Sequence, residues 1–143
     1  MEIEFYEATE IELASELTRL NMHTYYLARN LSWNHEEYEE YEENWYRFAN
    51  FSVTYDGKWV GIIRFSCDEI ALYIRDLQID TQYQNLGIGF SCLEYALEKL
   101  KYKKLNRLRL NVFSENPAIS LYSKFGFESV AEIDGLVRME LIV

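Results

Sequence analysis

Residues 70–103 constrain the fold more than any other stretch. A run that reads as a strand over 70–80, with room for an irregularity, passes through Gln84-Asn85-Leu86-Gly87-Ile88-Gly89. It then takes up helical spacing from about Gly87 to Lys103, with Leu93, Ala96, Leu97 and Leu100 on the inner face. A strand that turns within a few residues into a helix belongs to an α/β architecture. The first amides of that helix have no partner inside it, and the macrodipole is positive there. Glycines let such a backbone approach an anion, which makes a phosphate site that needs no lysine. A Gly-x-Gly alone leaves two readings open: an anion cradle, or a tight strand-to-helix turn. The dinucleotide fingerprint is incomplete, because Gly89 is followed by Phe90, Ser91 and Cys92, and no Gly-Lys-Ser/Thr is present.

The remaining segments fit around this unit. Ile3 and Phe5 alternate with glutamates as a first strand. Thr9 with Glu12 makes a capping box for a helix carrying Leu13, Leu17 and Leu20 on one face and ending near Ala28 to Asn30. Asn34 with Glu37 makes a second capping box, followed by Tyr38, Tyr41, Trp45 and Phe48 at helical spacing. Residues 51–56 and 58–66 read as a hairpin turning at Asp56-Gly57. Leu108, Leu110 and Val112 alternate on one side of a strand over Arg107 to Phe113. Asn116-Pro117 caps a short helix that Gly126 terminates, and the tail forms two strands turning at Asp134-Gly135. The expected order is β-α-α-β-β-β-α-β-α-β-β. That is a mixed α/β (α+β) fold, a central twisted sheet flanked by helices, within one domain over 1–143.

Charge and cysteine usage narrow the partners. A net charge of −10 makes nucleic acid a poor partner and favours a cation such as a protonated amine. Cys67 and Cys92 both sit in apolar stretches and read as buried free thiols of a reducing compartment. No cluster with metal-ligand spacing is present, so no metal is expected. The N-terminus lacks the pattern of a signal peptide and no apolar run is long enough to span a bilayer, so a cytoplasmic protein without a membrane segment is expected. Aromatic residues outside the expected core suggest a homodimer.

Two motifs together resemble the GNAT superfamily of N-acetyltransferases. The stretch Asp76-Leu77-Gln78-Ile79-Asp80-Thr81-Gln82-Tyr83-Gln84-Asn85-Leu86-Gly87-Ile88-Gly89 is similar to that family's cofactor motif, a strand followed by Gln/Arg-x-x-Gly-x-Gly/Ala. Thr81 stands where proline is common and Asn85 where glycine is frequent. Downstream, Asn116-Pro117-Ala118-Ile119-Ser120-Leu121-Tyr122-Ser123-Lys124-Phe125-Gly126-Phe127 resembles the family's "N-x-x-A-x-x-L-Y-x-K-x-G-F". The spacing from Asn116 to Ala118 is one residue shorter, which leaves Glu115 as an alternative occupant of the Asn116 position. The resemblance covers roughly residues 51–128 and is strongest over 76–127.

The resemblance implies a cosubstrate, acetyl-CoA, in a cleft where two parallel strands splay. Leu77, Gln78 and Ile79 would offer backbone groups to the pantetheine and the acetyl carbonyl. The amides of Gln84, Asn85, Leu86, Gly87, Ile88, Gly89 and Phe90 would hold the pyrophosphate, with Asn116 as a further contact. The developing oxyanion would be held by a backbone donor near Ile79. Tyr122 matches the family's general acid, which protonates the departing thiolate; without the motif it reads as a core aromatic beside Leu121 and Phe125. The base is less defined. Some branches of the family, ribosomal-protein N-terminal acetyltransferases among them, place glutamate where this chain has Asn111. Asp76 is the first candidate, against a structural strand-edge carboxylate; Glu69, Tyr73 or water are the others.

The acceptor is an amine, either small and cationic or carried by a peptide or protein. A lysine-like amine costs about 4–5 kcal/mol to deprotonate near neutrality, an α-amine only about 1 kcal/mol. The glutamates of residues 36–43 read as a solvated helix face; the family's layout also lets Glu37 and Glu40, with Trp33 or Trp45 stacking, attract a cation. The expected activity is transfer of an acetyl group to that amine. The alternative is a GNAT-fold module that binds acyl-CoA without efficient catalysis.

Overall fold

In the computed structural model, which describes residues 2–143, the chain forms β1 (Ile3–Glu7), α1 (Ile11–Ala28), α2 (His35–Arg47), β2 (Ala49–Tyr55), β3 (Lys58–Cys67), β4 (Leu72–Ile79), α3 (Ile88–Tyr102), β5 (Arg107–Phe113), α4 (Ala118–Phe125), β6 (Glu128–Ile133) and β7 (Leu136–Ile142). Helices and strands follow the order expected from the sequence, with a one-turn 3-10 helix, Thr81–Tyr83, added before α3. All strands join one mixed sheet in the order β1-β2-β3-β4-β5-β7-β6. The pairing of β4 with β5 is parallel and the others are antiparallel. The last hairpin places its second strand, β7, against β5, a spatial order that chain order alone does not reveal.

Both expected hairpin turns form. Asp56 and Gly57 have φ of 48° and 84°, and Asp134 and Gly135 have 51° and 79°. Two successive left-handed residues match the strand twist, and aspartate followed by glycine tolerates them.

Each face of the sheet has its own packing. On one face α3 and α4 bury Ile88, Cys92, Leu93, Ala96, Leu100 and Tyr122 against Val53, Ile63, Phe65, Leu72, Ile74, Leu108 and Leu110. Each large apolar side chain removed from water there contributes about 1.5–3 kcal/mol. On the other face Tyr41, Trp45, Ala14 and Ile62 form a smaller cluster under α1 and α2. Arg64, 3% exposed, rises from β3 into that cluster with its guanidinium 4.0 Å from the Tyr41 ring centre. No helix is long and apolar enough to cross a membrane among the described residues.

Three expectations are corrected. The Thr9–Glu12 capping box does not form: α1 starts at Ile11 after Glu10, without a side-chain cap. The end of β1 sets this start, because the Ala8 amide is tied to the Asn50 carbonyl (2.9 Å) and Thr9 falls one residue outside the capping position. The inner face of α1 is Ala14, Ser15, Leu17 and Thr18, while Leu13 and Leu20 are 41% and 58% exposed. Apolar periodicity misplaces that face because its inward side is partly polar. Cys92 is buried as expected, and burial pushes its thiol up to about 12. Cys67 is exposed, because it ends β3 at the turn before β4.

Around α2 the expectation holds in part. Asn34 Oδ1 accepts from the amides of Glu36 (2.9 Å) and Glu37 (3.2 Å), and Tyr41 and Trp45 are buried. Phe48 lies just past the last turn.

Candidate functional site

The parallel strands β4 and β5 stay paired only from Leu72–Leu108 to Ile74–Leu110. Beyond that point β4 continues to Ile79 along β3, and β5 continues to Phe113 along β7. The two strands therefore part, and the β4 edge from Arg75 to Ile79 faces a gap. The Asp80 amide donates to Val60 on β3 (2.8 Å), so by strand alternation the Leu77 and Ile79 backbone groups point into the gap. Consistent with this, the Ile79 carbonyl accepts side-chain bonds from Asn21 and Gln84, both 3.0 Å.

A bulge decides which side chains reach the gap. Arg64 pairs with Asp76 but Phe65 pairs with Ile74, so Arg75 is an extra residue on β4. An extra residue switches every later side chain to the opposite face. Without it Asp76 would share the face of Ile74 and point into the apolar core. With it, Asp76 and Gln78 face α1 and α2. This is the irregularity the sequence allowed for within 70–80.

Asp76 is nearly enclosed, and two hydrogen-bond donors and one ion-pair partner, from α1, β4 and β3, hold it. Thr18 Oγ1 donates to Asp76 Oδ2 (3.0 Å), Gln78 Nε2 donates to Oδ1 (2.8 Å), and Arg64 Nη1 lies 3.8 Å from Oδ2. Asn21 Nδ2 fixes Gln78 through its Oε1 at 3.1 Å. Burial raises the Asp76 pKa above the ordinary carboxylate range, while Gln78, Arg64 and Thr18 favour the charged form. The balance keeps a carboxylate more basic than usual.

Tyr122 projects from α4 into the same gap. It is buried, and that burial, together with the charge of Asp76, raises the pKa of its hydroxyl. The phenol thus stays protonated over the working range and can only donate. Tyr122 and Asp76 line one inner cavity of about 120 Å³, with Asn111 and Asn116. That cavity opens into a cleft of about 330 Å³, which Tyr122 also lines.

The far end of this cleft is the start of α3. Among the described residues the amides of Asn85, Leu86, Gly87, Ile88, Gly89 and Phe90 have no protein acceptor, and the first ladder bond of the helix is Ser91 to the Gly87 carbonyl. Asn85 and Gly87 have φ of 63° and 85°, left-handed conformations that turn successive N–H groups to one side. No atom lies within 4 Å of where a Gly87 side chain would begin, so the cradle is open. Gly89 serves packing instead: a Cβ there would meet Leu121 at 2.8 Å. The amide of Gln84 is not free, because it donates to Thr81 (3.4 Å); the free run begins one residue later than expected. This arrangement fits a diphosphate.

Most residues singled out in the sequence come together. Leu77, Gln78 and Ile79 line one wall, Gln84, Asn85, Gly87, Gly89 and Phe90 the end, and Asn116 and Tyr122 the other wall. Ile88 enters the core and Leu86 points outward, so both offer only backbone. Asn116 Oδ1 caps α4 by accepting from Ala118 (2.9 Å). Glu115 is turned away into an ion pair with Arg29 that lowers its pKa to about 2, and of the two only Asn116 lines the cleft. Trp45 packs under Arg64 rather than toward the cleft, and Glu37 and Glu40 line neither the cleft nor the inner cavity. Thr18, Asn21 and Arg64 were not singled out. Their signal in the sequence is a lone arginine within the apolar run Ile62-Ile63-Arg64-Phe65 and two polar residues on the inward side of α1.

Comparison with known proteins agrees with this fold. The model of the acetyltransferase (GNAT) family matches residues 14–127. The [ribosomal protein bS18]-alanine N-acetyltransferase of Escherichia coli K12 is 33% identical over 84 residues, covering 57% of this chain and 55% of that protein. The chain thus spans about half the length of the curated relatives it matches. Among solved structures, PaiA N-acetyltransferase from Thermoplasma acidophilum in complex with coenzyme A superposes with a TM-score of 0.77 at 20% identity over the full length of both chains. The ribosomal-protein-S18-alanine N-acetyltransferase from Escherichia coli superposes with a TM-score of 0.75 at 21% identity, covering 99% of this chain and 94% of that one. These likenesses share the fold described above, and with the family match they place the chain in the GNAT acetyltransferase family.

Proposed function

We propose that this chain is an acetyl-CoA-dependent N-acetyltransferase acting on a primary amine. One observation carries the reading: an open run of unpaired amides, a free strand edge, a buried tyrosine and a buried carboxylate all line one connected cleft. When bound, acetyl-CoA supplies a thioester, an acyl donor toward amines. The amides of Asn85 to Phe90 neutralise its diphosphate by dipole and hydrogen bonding, which lets a protein of net charge −10 hold an anion. The Leu77 and Ile79 amides align the pantetheine along β4 and donate to the carbonyl oxygen as negative charge develops there.

Asp76 receives the proton the amine must lose, directly or through water, and its raised pKa suits it to the task. With the cosubstrate bound, Tyr122 would give a proton to the sulfur as the amine nitrogen takes the acyl carbon and the C–S bond breaks. The site favours an acceptor whose deprotonation is cheap, such as the α-amine of a peptide or a small amine. The amine is a cation before it reacts, in keeping with the acidity of the chain.

Asn111, which lines the inner cavity without being able to take a proton, favours a second reading: a module that binds acyl-CoA and transfers it poorly. Release of free CoA thiol from acetyl-CoA over a panel of amines decides between them. Turnover that falls on Tyr122→Phe supports the enzyme. Acetyl-CoA binding without turnover supports the module, and no CoA binding removes both.

A further inference from the structure

Next to the inner cavity lies a larger groove, of about 510 Å³, on the α1/α2 side of the sheet, over the β5 and β7 region that those helices do not cover. It shares Ile74, Arg75, Leu110 and Asn111 with the inner cavity, so the two meet where β4 and β5 part. Strand alternation sends Arg109 on β5 and Arg138 on β7 to this face, and the β4 bulge sends Arg75 there.

These arginines are not equally occupied. Arg109 is bound to Glu140 (2.6 Å) and to the Tyr73 hydroxyl (3.2 Å). Arg75 donates only to Ser66 Oγ (2.6 Å) and stacks on Tyr73, while Arg138 has no hydrogen-bond partner among the described residues. Arg47, Arg75 and Arg138 are the arginines without a carboxylate within 4 Å among the described residues, and two of the three line this groove. The groove's own carboxylate, Asp68, is engaged by the amides of Ile70 and Ala71 and by Tyr73. In a chain of net charge −10, two unneutralised guanidinium groups beside the reacting cavity are a local reversal of sign.

We infer that the groove binds an oxyanion carried by the acceptor, so that the substrate is an amine bearing a carboxylate or phosphate, held by Arg75 and Arg138 while the amine reaches toward Asp76. Guanidinium groups match both oxyanions with paired hydrogen bonds. This rests on the acetyltransferase reading and sets the acceptor's class within it.

The experiment compares three amines of equal length, ending in a carboxylate, a phosphate or a neutral carboxamide, by CoA-thiol release at low salt. The expected result is kcat/KM at least about tenfold higher for one or both anionic amines than for the carboxamide, the larger value naming the source. Arg138→Gln and Arg75→Gln each collapse that ratio. Arg47→Gln, on the exposed end of α2, leaves the ratio unchanged. Turnover that ignores the terminal charge overturns the inference while the acetyltransferase reading stands. If none of the amines turns over, titration of the side-chain Nε–H NMR signals of Arg75 and Arg138 with acetate and with inorganic phosphate decides. Saturable shifts absent from Arg47 support the groove, and their absence overturns it.

Discussion

The two faces of the sheet present different groups to the cleft between β4 and β5. The face covered by α3 and α4 presents backbone: amides at the start of a helix and the free edge of β4, backed by an apolar core. The face under α1 and α2 presents side chains: Thr18, Asn21, Asp76 and Gln78 linked by hydrogen bonds, with Arg64 as the ion-pair partner of Asp76, and Asp76 and Gln78 depending on a single bulge for their direction. A backbone site tolerates change in most side chains around it. A side-chain site is only as good as its register, and the loss of one member strands the others.

That contrast can be broken most forcefully on the side-chain face. Arg64→Met leaves the Asp76 charge buried without its cationic partner and is expected to cost about 3 kcal/mol or more in denaturant unfolding. Adding Asp76→Asn recovers part of the loss, whereas a purely packing role for Arg64 gives simple additivity. Next in size, Tyr122→Phe is expected to lower kcat about 100-fold with little change in acetyl-CoA binding, the scale of a lost general acid. On the backbone face, Gly87→Ala places a side chain at φ of 85°; the expected cost is about 1–2 kcal/mol, with weaker CoA binding measured by calorimetry. Leu86→Ala, which keeps the backbone, leaves that affinity intact.

The smallest expected effect is the most informative about the base. Asp76 must be ionised to accept a proton, and its pKa is raised. Activity therefore falls with decreasing pH along a limb above the ordinary carboxylate range. Thr18→Val removes a donor to the charged form, raises that pKa further and moves the limb upward, at a stability cost of about 1 kcal/mol. A limb that stays in place assigns the base elsewhere.

The same contrast explains what the sequence disclosed. The α3 cradle was legible because its requirement is conformational: glycine and asparagine at left-handed positions after a strand leave a trace at fixed spacing. The hairpin turns at Asp56-Gly57 and Asp134-Gly135 were legible for the same reason. The Asp76 network was not, because its members come from α1, β3 and β4 and meet only through the register of the bulge. The polar inward side of α1 also defeated apolar periodicity, which placed Leu13 and Leu20 inward although both are exposed. The arginine groove needed the strand order, since Arg138 and Arg75 line one groove only because β7 lies against β5.

If the unpaired amides at the start of α3 hold the CoA diphosphate, amide NMR during titration with CoA registers it. Saturable shifts are expected at Asn85 to Phe90, with a second group along Leu77 to Ile79. Saturable shifts confined to other parts of the chain, or no binding at millimolar CoA, contradict it.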